Sequence, residues 1–205
     1  MEFKVNSKEL EKLLTKIIPA VPTRTPMSIL ENFLFEIKDG SLTIYATDLE
    51  ISMKSSINIV SEDNMSLVVP AKLTHDILRS LGDTTVYFEI TQNGKINLKT
   101  DNGVYSISYL DAQEFPEIPT FPTEADDIFE VDMNGLELKS ALDISSFAMS
   151  KEEMRPAMMG TFLLFESEGM RLVTTDGHRL VNQLKKNIKA ETEDQYIIPE
   201  KAVSV

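Results

Sequence analysis

Asn32-Phe33-Leu34-Phe35-Glu36-Ile37-Lys38-Asp39-Gly40-Ser41-Leu42-Thr43-Ile44-Tyr45-Ala46-Thr47-Asp48 is the stretch that decides the fold. Asn32–Ile37 and Ser41–Ala46 are apolar runs of strand length. Asp39-Gly40 between them tolerates the positive φ angles of a tight reverse turn, so the stretch reads as a β-hairpin. Ile51–Ile59, Leu67–Val69, Val86–Ile90, Ile96–Lys99 and Val104–Leu110 also read as strands, and Asn93-Gly94 and Asn102-Gly103 supply further turns. Antiparallel sheet is therefore expected in place of βαβ units.

Two helical patterns interrupt the strands. Ser7 is placed to cap a helix running to about Ala20, with Leu10, Leu13, Leu14, Ile17 and Ile18 on its apolar side. Lys8, Lys12 and Lys16 recur every four residues and line another side. A second helix runs from about Pro70 to Leu81, burying Leu73, Ile77, Leu78 and Leu81, and stops at Gly82. Lys72 and Arg79 lie two turns apart on roughly one of its faces.

The landmarks of the first half then return in order. Phe3-x-Val5 recurs as Phe129-x-Val131, followed by apolar helix positions Leu10 and Leu136 respectively. Pro26 and Asn32–Glu36 recur as Pro156 and Phe162–Glu166, Thr47-Asp48 as Thr175-Asp176, and Val69-Pro70-Ala71-Lys72 as Ile198-Pro199-Glu200-Lys201. Four collinear matches at an offset of about 128 residues indicate duplicated domains. The expected division is a first domain over 1–115, a linker over 116–127 and a second domain over 128–205. Pro116, Pro119 and Pro122 give the linker its character. The second copy stops just past the start of its second helix, so the chain is expected to be a fragment of a longer protein.

Composition narrows the function. The chain has 205 residues, 42% hydrophobic and 26% charged, an ordinary globular balance. The absence of cysteine excludes disulfide scaffolds, thiolate zinc sites and cysteine nucleophiles. Met1–Asn6 lacks the pattern of a secretory signal, and no apolar run reaches the roughly 18 residues of a membrane span, so a cytoplasmic protein without a membrane partner is expected. A net charge of −13 argues against nucleic acid if spread evenly, but residues 83–128 hold nine acidic and two basic residues and supply much of it.

The repeat, Pro26–Phe35, Thr47-Asp48-Leu49-Glu50 and above all Thr174-Thr175-Asp176-Gly177-His178-Arg179-Leu180 resemble the beta subunit of bacterial DNA polymerase III, the sliding-clamp family. The resemblance implies an α+β fold of repeated DNA-clamp domains, each with two helices packed on antiparallel sheets. It implies three such domains per chain and a head-to-tail homodimer ring, helices inside and sheets outside, that encircles duplex DNA without reading sequence. DNA polymerase and the clamp loader would dock through short peptide motifs. This chain alone would supply one domain and most of another, and would not close a ring. Val104–Leu110 is the expected edge for pairing with a second chain. A topologically held DNA needs few contacts, so an acidic exterior is no objection.

The same resemblance assigns the peptide site to Met158, Thr175, Gly177, His178, Arg179 and Leu180, with the remainder of the pocket beyond Val205. An apolar cleft edged by an arginine and backbone amides suits an extended peptide. Arg24, Lys72, Arg79, Arg155 and Lys201 are the DNA candidates, with Lys8, Lys12 and Lys16 behind them; Lys72 and Lys201 occupy equivalent places in the two repeats. Pro156 and Ala157 stand where some members carry aromatic residues, which weakens a base-stacking role. Two other readings compete: a β-rich peptide-binding adaptor unrelated to DNA, and a hydrolase using Asp176 and His178. The hydrolase lacks a nucleophile, and Asp176-Gly177 most simply forms a turn. Glu152-Glu153 and Asp126-Asp127 read as solvated charge, and no metal site, phosphate loop or cofactor is expected.

Overall fold

A computed structural model describes residues 1–61, 63–119, 128–152, 154–190 and 192–204. Asp126, Asp127, Glu153 and the 120–127 part of the expected linker lie outside the described residues. The chain divides into two compact units, Met1–Pro119 and Thr120–Val205.

In the first unit the elements run β1 (Glu2–Asn6), α1 (Ser7–Ile17), β2 (Asn32–Lys38), β3 (Ser41–Thr47), β4 (Ser52–Asn58), β5 (Met65–Pro70), α2 (Ala71–Leu81), β6 (Thr85–Thr91), β7 (Lys95–Thr100), β8 (Gly103–Ser108) and β9 (Leu110–Asp111). They form two antiparallel sheets, ordered β1-β6-β7-β8 and β4-β3-β2-β5-β9. The hairpin that opened the sequence reading pairs Phe35 with Ile44 and Ile37 with Leu42. Its turn residues Asp39 and Gly40 both have positive φ, 50° and 75°, as the twist of a two-residue hairpin demands. Period-two alternation sends Phe33, Phe35, Leu42 and Ile44 inward to meet Leu10, Leu14 and Phe88, all fully buried. Truncating a side chain such as Phe33 there would cost about 3–5 kcal/mol. Helices α1 and α2 pack against each other.

The second unit contains α3 (Gly135–Ser146), β10 (Gly160–Glu166), β11 (Gly169–Thr175), β12 (Leu180–Lys185), β13 (Asp194–Pro199) and α4 (Glu200–Ser204). Its sheet order, β12-β11-β10-β13, reproduces β4-β3-β2-β5 strand for strand. Leu163, Phe165, Met170 and Leu172 fill its core against Ala141 of α3, with Phe129, Val131, Met133 and Leu138 packed on the same cluster. Among the described residues this unit has no counterpart of β6 to β9.

Several expectations are corrected. The cap of α1 is Asn6, whose side-chain oxygen accepts the N–H groups of Lys8 and Glu9, both at 3.0 Å. Ser7 is instead fully buried, its hydroxyl 2.6 Å from the Gly82 carbonyl and accepting the Thr84 N–H at 3.0 Å. The α-helix ends at Ile17, and Pro19, which has no N–H to donate, follows in a 3-10 turn over Ile18–Ala20. On α2 Leu78 is buried with Ala71 and Thr74, and Ile77 and Leu81 pack partly buried on the core; Leu73 faces away and is 49% exposed.

Leu136 is likewise 81% exposed. Asn134 caps α3 as Asn6 caps α1, accepting from Leu136 and Glu137, so Leu138 is the true counterpart of buried Leu10. By the same register Val131 and Met133, rather than Phe129 and Val131, stand where Phe3 and Val5 do. The expected strand Val104–Leu110 is two strands: β8 pairs with β7 at the edge of one sheet, while Leu110 crosses to pair with Val68 of the other. Ile51 belongs to a turn, and β4 begins at Ser52.

Candidate functional site

β11 and β12 are joined by Asp176-Gly177-His178-Arg179, and side-chain hydrogen bonds fix that turn. One carboxylate oxygen of Asp176 accepts the backbone N–H groups of His178 and Arg179, both at 3.0 Å. The Thr175 hydroxyl donates to the Arg179 carbonyl at 2.8 Å and accepts the Gly177 N–H at 3.1 Å. Gly177 takes φ +86°, where a side chain is disfavoured. Asp and Thr close such turns because their short polar side chains reach the backbone two and three residues ahead.

The first repeat builds the same turn. Asp48 accepts from Glu50 and Ile51, Thr47 donates to the Ile51 carbonyl and accepts from Leu49, and Leu49 has φ +77°. What differs is the residue at the positive-φ position, leucine in one repeat and glycine in the other. At Gly177 the open space is used: a Cβ there would lie 3.2 Å from Arg155 Nη1 and 3.6 Å from Met158 Cε. Arg155 and half-buried Met158 are thus drawn to the turn, and Leu180 at the start of β12 is 62% exposed beside it.

Asp176 also accepts from Arg179 Nε at 2.8 Å. The His178 and Arg179 backbone N–H groups, followed by the Arg179 side chain, hold its carboxyl down at about 2. A carboxyl depressed in the folded state stabilises above its ordinary value, and that contribution is lost only as pH falls through the folded value. In a two-dimensional amide titration, the His178 and Arg179 signals are therefore expected to move with a midpoint near 2; a midpoint at the ordinary 3.8 would contradict the turn.

The guanidinium carbon of Arg179 lies over the Phe147 ring, 5.2 Å from its centroid. An open groove of about 600 Å³ runs here, lined by Phe147, Ser150, Glu152, Asp176, His178 and Arg179 among others. Phe147 was not singled out in the sequence: it follows α3 directly in a stretch without apolar period, and only tertiary structure brings it to Arg179. The Asp176–His178 dyad does not form as a catalytic pair, since Asp176 engages the His178 backbone and the Arg179 guanidinium.

The basic candidates divide. Lys72 and Arg79 are exposed on α2, beside a helix carrying exposed Lys8, Lys12 and Lys16, although Arg79 pairs with Asp76 at 3.1 Å. Arg24 is exposed on the loop before Pro26. Arg155 pairs with Glu152 at 3.4 Å and reaches Gly177, so the structure brings it to the turn, and Lys201 is half-buried on α4. Among the described residues no cluster of three metal-ligating side chains stands together, and no helix is long and apolar enough to cross a membrane.

Residues 1–119 match the sequence model of the DNA polymerase III beta subunit N-terminal domain, and residues 132–205 match that of its central domain. The chain belongs to the DNA polymerase III beta-subunit family. Its similarity to the beta sliding clamp of Vibrio cholerae is 29% identity over 206 residues, covering 99% of this chain and 55% of that protein. The crystal structure of the beta subunit from Pseudomonas aeruginosa covers the whole chain with a TM-score of 0.86 at 26% identity, using 55% of the crystallised chain. A Bartonella birtlesii beta subunit solved bound to griselimycin gives 0.84 at 27% identity over all of this chain and 55% of its own. The chain spans about half the length of these beta-subunit relatives.

Proposed function

We propose that the protein acts as a sliding clamp, a non-catalytic processivity factor that encircles duplex DNA in the cytoplasm and tethers polymerase, clamp loader and other replication or repair proteins. The observation that carries this reading is the duplicated clamp fold of a beta-subunit family member, built twice on one strand order. The division follows the repeats, a first clamp domain over 1–115 and a second over 128–205. At the full length of its relatives, two copies would close the ring, with the free edge of β8, the last strand of its sheet, as one side of each joint. Lys72, Arg79, Arg24, Arg155 and Lys201 would meet phosphates in a labile, sequence-independent way.

Peptides of partner proteins would dock at Met158, Thr175, Gly177, His178, Arg179 and Leu180, where an exposed leucine and a methionine lie beside an arginine and a polar turn. That two relatives were crystallised with griselimycin makes this compound the natural probe. Tested at the length of its relatives, the protein is expected to remain on closed circular DNA and to run off once that DNA is cut. Equal retention on circular and linear DNA would contradict topological binding and favour an adaptor.

A further inference from the structure

We propose that Phe147 is a positioning residue for the peptide site: its ring is the platform that holds the Arg179 guanidinium with its terminal N–H groups turned toward a bound peptide. This rests on reading the 175–180 turn as the peptide-binding edge.

Arg179 is restrained from two directions. Its Nε–H donates to Asp176 at 2.8 Å, which takes the inner donor of the fork, and its guanidinium carbon sits over the Phe147 ring, 5.2 Å from the centroid. A guanidinium has five N–H donors in a rigid plane, so holding Nε on Asp176 and the central carbon on the ring restricts the directions open to the four terminal N–H bonds. An arginine on an exposed turn otherwise samples many rotamers, and ordering it on binding weakens affinity.

Phe147 can serve as a platform because it is itself anchored. It directly follows α3, where the fully buried Ser145 donates to the Ala141 carbonyl at 3.0 Å. Thr174, one residue before the site turn, donates its hydroxyl to the Ser145 carbonyl at 2.8 Å inside the unit. The end of α3 and the end of β11 are thus pinned together next to the two side chains. Phe147 is nevertheless 58% exposed, a large cost in exposed apolar surface for a residue that serves packing alone.

The test is a double-mutant cycle in the protein at the length of its relatives, with griselimycin binding followed by calorimetry. Phe147→Leu keeps the apolar bulk and removes the π-face. It is expected to weaken binding about three- to fivefold in the wild-type background and not at all in an Arg179→Ala background. Phe147→Tyr should bind as wild type. In the free chain, Phe147→Leu should also abolish the ring-current displacement of the Arg179 Nε–H resonance. An additive cycle, or an unmoved Nε–H resonance, overturns the proposal. Absence of griselimycin binding by the wild-type protein at the length of its relatives, with the ring-current change intact, would instead sink the peptide-site reading and leave the Arg179 restraint standing.

Discussion

Gly177→Leu is expected to weaken griselimycin binding about tenfold while leaving the second unit folded. The two halves of that expectation come from different repeats. The first repeat carries leucine at the same place in the same turn, Leu49 at φ +77° against +86° for Gly177, with the matching Asp and Thr hydrogen bonds. The backbone therefore accommodates leucine. The surroundings of Gly177 do not, because Arg155 Nη1 and Met158 Cε occupy the volume within 3.2 and 3.6 Å of the new Cβ. Moving them aside takes both side chains from the place where a peptide would meet them, and losing about 1.4 kcal/mol of contact is tenfold in a dissociation constant. Calorimetry or NMR titration measures the loss, and retained dispersion of the Leu163 and Leu172 amides shows that the fold survives. Unchanged affinity would mean that the glycine has no part in shaping the site.

Gly169→Ala is expected to produce the larger loss of stability, about 3 kcal/mol or more, confined to the second unit. Gly169 opens β11 opposite Glu166 at φ +138°, a conformation that costs a residue with a side chain about 1–3 kcal/mol. A Cβ there would also lie 2.4 Å from the Lys185 carbonyl oxygen and 2.8 Å from the Lys186 Cα. Both are backbone atoms of the neighbouring strand's end, so relief requires moving the sheet. Gly94→Ala is the control: it has φ +76° but nothing within 4 Å, and should cost only the backbone term. Urea titration followed residue by residue checks this, with core amides of the second unit lost earlier and those of the first unmoved. Equal shifts in both units would contradict the separation of the two cores.

Much of this architecture was legible because its signals are local. Asp39-Gly40 announces its hairpin by composition, since few other pairs accept two positive φ angles in succession. Thr175-Asp176 and Thr47-Asp48 stand out as a repeated pair because both turns depend on the same short side chains. The helix entries were misjudged where two capping residues are adjacent: Asn6 and Ser7 both qualify by type, and only burial of the Ser7 hydroxyl beneath Gly82 and Thr84 decides between them. The slip from Leu138 to Leu136 has the same root, for without the cap the register of a short helix rests on a single apolar match. Val104–Leu110 reads as one strand because a change of sheet at Tyr109 leaves the alternation intact. Within the candidate site, the turn at Asp176-Gly177 could be read from sequence. Phe147 could not, because a cation–π contact between residues on different elements has no sequence period.

The turn of the second repeat, and not its twin in the first, is the proposed receiver of peptide ligands. Amide chemical-shift mapping with griselimycin, on the protein at the length of its relatives, tests it most directly. Shifts concentrated at Thr175–Leu180, Arg155 and Met158, with Thr47–Ile51 silent, are the expected result. Shifts centred on Thr47–Ile51, or spread without preference over both turns, would contradict it.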